Sequence, residues 1–106
     1  MIVTPSAAVA GHRIVRSLGL VYGNAVRARH VGKDILAGLK NLVGGEIQEY
    51  TKLMAESREQ AIDRMVAMAT QRGGNAIVNV GFSTSYIMAN ASEILVFGAA
   101  VVLESE

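Results

Sequence analysis

The sequence of 106 residues has no cysteine, no tryptophan and a single proline, and its aromatic residues are three tyrosines and two phenylalanines. The absence of cysteine excludes a disulfide framework, a thiolate nucleophile and a thiolate metal site. The scarcity of aromatics argues against a nucleic-acid module, because such modules interleave base-stacking rings with basic side chains. The longest apolar run, residues 94–103, is half the length of about 20 residues that a membrane-spanning helix needs.

Apolar residues, in contrast, make up 51% of the chain, and charged residues make up 18% with a net charge of +1. This composition is opposite to that of disordered chains, and the length fits one small domain spanning residues 1–106. An apolar content of one half is high for a chain this small, because a small domain has a large surface relative to its volume. We therefore expect part of the apolar surface to be buried against other copies of the chain. The N-terminal stretch lacks the basic region of a signal peptide, which favours a cytoplasmic protein.

The charges are unevenly distributed along the chain. Residues 1–53 hold seven basic and three acidic groups, whereas residues 54–106 hold three basic and six acidic groups. Halves of opposite charge favour ion pairs within or between subunits, and a basic patch for an anion is the other interpretation.

Hydrophobic periodicity predicts six elements. Residues 13–28 alternate as a strand, in which Gly19 and Gly23 indicate a bulge or a close backbone approach. Apolar residues at three- and four-residue steps predict a short helix, and a long helix that ends at Gly73-Gly74. The order is β-β-α-α-β-β, an α+β fold in which an antiparallel sheet carries the short and the long helix on one face. The predicted elements are strands 1–4 and 13–28, helices 30–43 and 47–72, and strands 76–88 and 93–103.

The last predicted strand loses the alternation of the others and is apolar on both faces. Such a strand needs cover on both faces, and two helices on one side of the sheet supply only one. We therefore expect a homo-oligomer whose interface includes Leu95, Val96, Phe97 and Val101.

Metal ligands are few. His30 and Asp34 are four residues apart on the predicted short helix and share one of its faces, as two ligands of a divalent metal would. A neighbouring subunit would have to complete the coordination sphere. A capping contact or a solvated pair fits the same spacing equally well.

Catalytic machinery is not apparent in the sequence. Residues 83–85 offer hydroxyl groups, but no histidine or lysine base has a spacing that implies proximity, so we predict no enzyme activity. The segment from Asp34 to Tyr50 is more suggestive, because Gly44-Gly45 leads into a helix whose free N–H groups suit an anion. Glu46, in the first turn of that helix, would instead satisfy the positive helix end itself.

Five short motifs stand out in the sequence: residues 34–45, Tyr50, residues 57–61, residues 74–78 and residues 98–102. Together they resemble the YbjQ family of bacteria and archaea, and the resemblance covers essentially the whole chain. It implies a small α+β domain that assembles as a homopentameric ring, a heavy-metal-binding label and no established activity. Two positions depart from the family pattern: Glu46 replaces an arginine and Ala99 replaces a threonine.

Composition, motifs and resemblance together predict a cytoplasmic, non-enzymatic homo-oligomer that acts as a scaffold or binds a small ligand between subunits. The alternative is a heavy-metal-binding protein that holds a divalent ion through His30 and Asp34. No membrane or nucleic-acid partner is expected. The candidate ligand-binding residues are Asp34, Gly44, Gly45, Glu46, Tyr50 and Arg58.

Overall fold

The computed structural model describes residues 1–28, 45–88 and 91–106. These form a strand β1 (Ile2–Val3), a strand β2 (His12–Ala28), a helix α1 (Gly45–Gln71), a strand β3 (Ala76–Met88) and a strand β4 (Ala91–Ser105). The predicted strands and the predicted long helix are confirmed to within about two residues, as is usual at element ends. The predicted short helix at 30–43 lies outside the described residues, so the described order is β-β-α-β-β.

The four strands form one sheet in the order β1-β3-β4-β2. The prediction of a purely antiparallel sheet is wrong for β1, which pairs in parallel with β3 and makes the sheet mixed. β1 lies beside the start of β3, at the edge of the sheet opposite β2, and the two strands run in the same direction. Backbone bonds from Thr4 to Ile77 and from Val80 to Thr4, 3.0 and 3.1 Å long, continue this pairing.

Glycines shape the sheet where the sequence indicated. Gly19 has φ of 92° and lies at a shift in the register between β2 and β4, which confirms the predicted bulge. Gly23 lies directly beneath α1, where a Cβ atom would come within 2.0 Å of the Ala61 carbonyl oxygen. Gly73, with φ of 85°, ends the helix in the left-handed conformation.

Helix α1 packs on one face of the sheet, over β2 and β4, and builds the main hydrophobic core there. A smaller apolar cluster lies on the opposite face, where Val9 of the β1–β2 connection packs against it. The main core is formed by Val21, Ala25, Ala61, Met65, Ala69, Ile77, Ile94, Val96 and Ala100. The smaller cluster is formed by Ala76, Val78, Val101 and Leu103.

Asn75 joins the turn after α1 to the end of β4. Its side-chain amide donates to the Leu103 carbonyl oxygen at 2.9 Å, and its side-chain oxygen accepts the Leu103 N–H at 2.7 Å. The side chain thus pairs with β4 as a further strand residue would. This gives the Gly74-Asn75-Ala76 motif a structural role in this chain.

Replacing Asn75 with alanine should lower the free energy of unfolding by about 1–3 kcal/mol, because it leaves the Leu103 N–H and carbonyl without these partners. Asn24→Ala is the matched control, since the Asn24 amide makes one long contact of 3.4 Å with Glu93. Urea unfolding followed by far-UV circular dichroism measures both variants. Equal midpoints for the two variants would show that the Asn75 amide does not hold β4.

Candidate assembly surface

The face of the sheet opposite α1 carries a row of exposed apolar side chains, which we call the distal face. Strand pairing places its members together: Leu20 lies opposite Ala99, and Tyr22 lies opposite Phe97. Directly opposed residues of antiparallel strands share one face of the sheet. The exposed fraction is 63% for Leu20 and 47% for Tyr22. The apolar members of the distal face are Leu20, Tyr22, Val26, Leu95 and Phe97.

The centre of the distal face is flat because Gly81 of β3 has no side chain. Phe97 lies opposite Gly81 in the register, and a Cβ atom on Gly81 would lie 2.8 Å from the Phe97 Cζ atom. The ring therefore lies across β3 and spreads its apolar surface over two strands. At one end of the sheet Val9 packs over the smaller cluster, but the distal-face residues of β2 are about half exposed or more.

Side-chain alternation divides the four predicted interface residues between different environments. Val96 is fully buried beneath α1, and Val101, at 2% exposed, belongs to the smaller cluster, so both already contribute to the protomer's own core. Leu95 is half-buried, and Phe97 is 37% exposed. Of the four, Leu95 and Phe97 are therefore the residues that offer surface to a partner.

Sequence reasoning missed Leu20, Tyr22 and Val26, which supply most of the exposed apolar surface of the distal face. The sequence of β2 did indicate a second apolar face, because apolar residues alternate on both sides of the strand. Only the face with Val21 and Ala25 is covered by α1.

Some of the predicted binding residues lie outside the described residues: His30 and Asp34, the predicted metal ligands, and Gly44, a predicted ligand-binding residue. Gly45 begins α1, and Glu46 and Tyr50 lie in its first two turns. Arg58 is exposed and lies eight residues beyond Tyr50, about 12 Å along the helix axis. The backbone positions of the two residues are thus more than two helical turns apart within one subunit.

No group of three or more histidine, cysteine, aspartate or glutamate side chains that could hold a metal ion occurs among residues 1–28, 45–88 and 91–106. His12 is described, and its Nδ1 lies 3.0 Å from the Ala10 carbonyl oxygen. In the part of the chain that the structure describes, one cross-strand ion pair joins the basic first half of the sequence to the acidic second half: Arg13 with Glu104 at 3.4 Å. Both side chains are well exposed, so this pair contributes little to stability.

Several known proteins resemble this chain in sequence or in fold. A family model described as "Putative heavy-metal-binding" matches residues 1–104. The chain belongs to the YbjQ family. Members from distant microbes share its sequence: a UPF0145 protein of Dehalococcoides mccartyi is 57% identical over 98% of this chain and 100% of the relative. A UPF0145 protein of the archaeon Archaeoglobus fulgidus is 52% identical over 95% of this chain and 94% of the relative.

A solved structure from Pediococcus pentosaceus, described as a protein of unknown function of the DUF74 family, has the same fold with a TM-score of 0.67. It is 12% identical and covers 98% of each chain. The described part of this YbjQ member contains no helix that is both long and apolar enough to span a membrane.

The YbjQ motifs that the structure describes form the fold. Ser57 and Ala61 are fully buried on α1, and Ala61 is the residue that Gly23 approaches. Gly98 lies where a Cβ atom would come within 2.6 Å of the Ile77 side chain. Asn75 pairs with β4 as described above. In this chain these motif positions therefore fix the packing of α1, β3 and β4.

Proposed function

We propose that this chain is a non-enzymatic, cytoplasmic homo-oligomer whose subunits associate through the distal face and hold a small ligand between them. The observation that supports the proposal is the exposed apolar surface of Leu20, Tyr22, Val26 and Phe97, on the side of the sheet that α1 does not cover. Contiguous apolar surface of this kind marks a site of association in proteins of this size.

The proportions of the chain support the same proposal. Its radius of gyration is 17.6 Å, whereas a compact domain of this length has a value of about 13 Å. The 57 Å long axis reflects the long strands, since the 17 residues of β2 extend over roughly 55 Å. Elongated sheets with one helical layer leave much apolar surface in water, and association removes that surface from water.

A closed ring gives every distal face a partner, because cyclic symmetry repeats one contact around the assembly. The family resemblance implies five subunits. In such a ring, Tyr50, Arg58 and Asp34 would reach a shared ligand from different subunits.

Native mass spectrometry of the untagged protein, purified without chelator, tests the proposal. We expect a defined multiple of the 11.2 kDa subunit, and a ratio of five would support the ring that the family implies. A fixed mass beyond that multiple would identify the bound ligand. A single subunit across the micromolar range would overturn the proposal.

The alternative function is binding of a heavy metal, which the description of the matching family favours. Its candidate ligands are His30 and Asp34, completed by a neighbouring subunit. Titration calorimetry with zinc, nickel and copper measures it, and the absence of saturable heat in the micromolar range would reject it. If the metal binds through His30, His30→Ala will abolish the heat and His12→Ala will preserve it, because His12 lies by the Ala10 carbonyl on the β1–β2 connection.

A further inference from the structure

The outer edge of β2 presents backbone N–H and carbonyl groups, and the hydrogen bonds of β4 show which residues of β2 present them. The Asn75 backbone N–H donates to the Val101 carbonyl oxygen, and the Asn75 side chain pairs with the Leu103 backbone. Val101 and Leu103 therefore direct their backbone groups toward β3. Because these directions alternate along a strand, Val101 and Leu103 share their direction with the other odd-numbered residues of β4, and the even-numbered ones, such as Val96 and Gly98, direct their backbone groups toward β2.

The register then fixes which residues of β2 face outward. Val21 lies opposite Gly98 and Gly23 lies opposite Val96, so Val21 and Gly23 bond to β4. The residues beside them, Leu20 and Asn24, direct their N–H and carbonyl groups away from β4. Among the strands that the described residues form, β2 is the last of the sheet, so these groups lie along its outer edge.

Two arginines of α1 reach these outward carbonyls. Arg72 donates from Nη1 to the Leu20 carbonyl oxygen at 2.6 Å, and Arg64 donates from Nη1 to the Asn24 carbonyl oxygen. The spacings match: eight residues of helix span about 12 Å, and four residues of strand span about 13 Å. Helix and strand run antiparallel, so each guanidinium meets its own carbonyl.

We propose that Arg64 and Arg72 guard the β2 edge against the addition of a strand from a second copy of this chain. An added strand needs the outward carbonyls as acceptors for its own N–H groups, and the guanidinium groups occupy two of them. Displacing them would break two charge-assisted hydrogen bonds and bring two cations close to the incoming backbone. Natural sheets commonly protect their edges with charged side chains. This protection of the β2 edge by Arg64 and Arg72 does not depend on association through the distal face.

The test is the double variant Arg64→Met/Arg72→Met, which keeps a flexible apolar side chain at each position and removes the donors. Antiparallel pairing of two unprotected β2 edges joins two copies about a twofold axis, so we expect a weight-average mass roughly twofold above that of wild type in sedimentation velocity. Arg13→Met/Arg16→Met is the control, because it removes the same charge from exposed positions on β2. We expect that control to sediment as wild type does.

A triple variant tests directly whether strand addition at the β2 edge causes the increase in mass. Adding Asn24→Pro to the double methionine variant removes an outward N–H at a position where an edge strand accepts proline, so we expect the mass to return to the wild-type value. A folded double variant with the wild-type mass would overturn the proposal, as would equal growth in the control. If circular dichroism shows that the double variant is unfolded, Arg72→Met alone takes its place, with a smaller increase expected. These comparisons are with wild type, whatever its own mass, so they are independent of the oligomer proposed above.

Discussion

Replacing Gly23 with alanine is expected to destabilise the protomer by about 3 kcal/mol or more, at the upper end of the cost of overpacking a core. The added Cβ atom would lie 2.0 Å from the Ala61 carbonyl oxygen and 2.6 Å from the Met65 nitrogen. Both are backbone atoms of α1, so no rotation of a side chain relieves the clash. The helix has to move away from β2, and the contacts of Ala61, Met65 and Ala69 loosen with it. Urea unfolding followed by far-UV circular dichroism measures the loss.

Gly11→Ala is the matched control for this effect. Gly11 has φ of 76° and would meet no atom within 4 Å, so alanine there carries the cost of the left-handed backbone, about 1–2 kcal/mol, and no clash. The difference between the two variants measures the clash at Gly23. Similar losses for both variants would mean that α1 lies farther from β2 than the structure places it.

Gly23 also shows how far the sequence could predict this fold. A glycine inside an alternating strand predicts a close approach of backbone, and the structure identifies the partner as α1. The end of α1 and the start of β3 were predictable for a similar reason. Gly73 marks a left-handed helix end, and the alternation of apolar and polar residues begins at Ala76. These signals are local, because a few neighbouring residues carry them.

Pairing direction and long-range contacts were beyond such signals. The two residues of β1 are too few to specify whether they pair in parallel or antiparallel, and their direction follows from where β3 lies. The pairing of Asn75 with Leu103 joins residues 28 positions apart, and an asparagine after Gly74 also fits an ordinary turn. Contacts of this kind depend on the assembled sheet.

The sequence named only part of the distal face, namely Leu95 and Phe97. A doubly apolar β4 predicts that both faces of the sheet are covered, yet it does not show which face the chain covers itself. The structure shows α1 over Val96 and leaves Phe97 on the other side. Leu20 and Tyr22 of β2 joined the surface only through their register with β4. The arginine guard needed the same register, since the sequence does not show which carbonyls point outward.

Val96 and Phe97 are neighbours on opposite faces of β4, and their aspartate variants separate folding from assembly. Val96→Asp should leave the chain largely unfolded. Val96 is fully buried, and an unpaired carboxylate there costs more than about 4 kcal/mol, close to the whole stability of a small domain. Phe97→Asp should remain folded, because Phe97 is 37% exposed and its carboxylate would reach water.

Phe97→Asp should instead lower the native mass toward 11.2 kDa, since association would bury its charge against the partner's apolar surface. Ala67→Asp is the control, because it adds the same charge at an exposed position of α1, away from the distal face. Native mass spectrometry and far-UV circular dichroism on the three variants distinguish the possibilities. A folded Phe97→Asp with the full wild-type mass would exclude the distal face as the contact between subunits. A folded Val96→Asp would mean that α1 does not hold β4 as closely as its burial indicates.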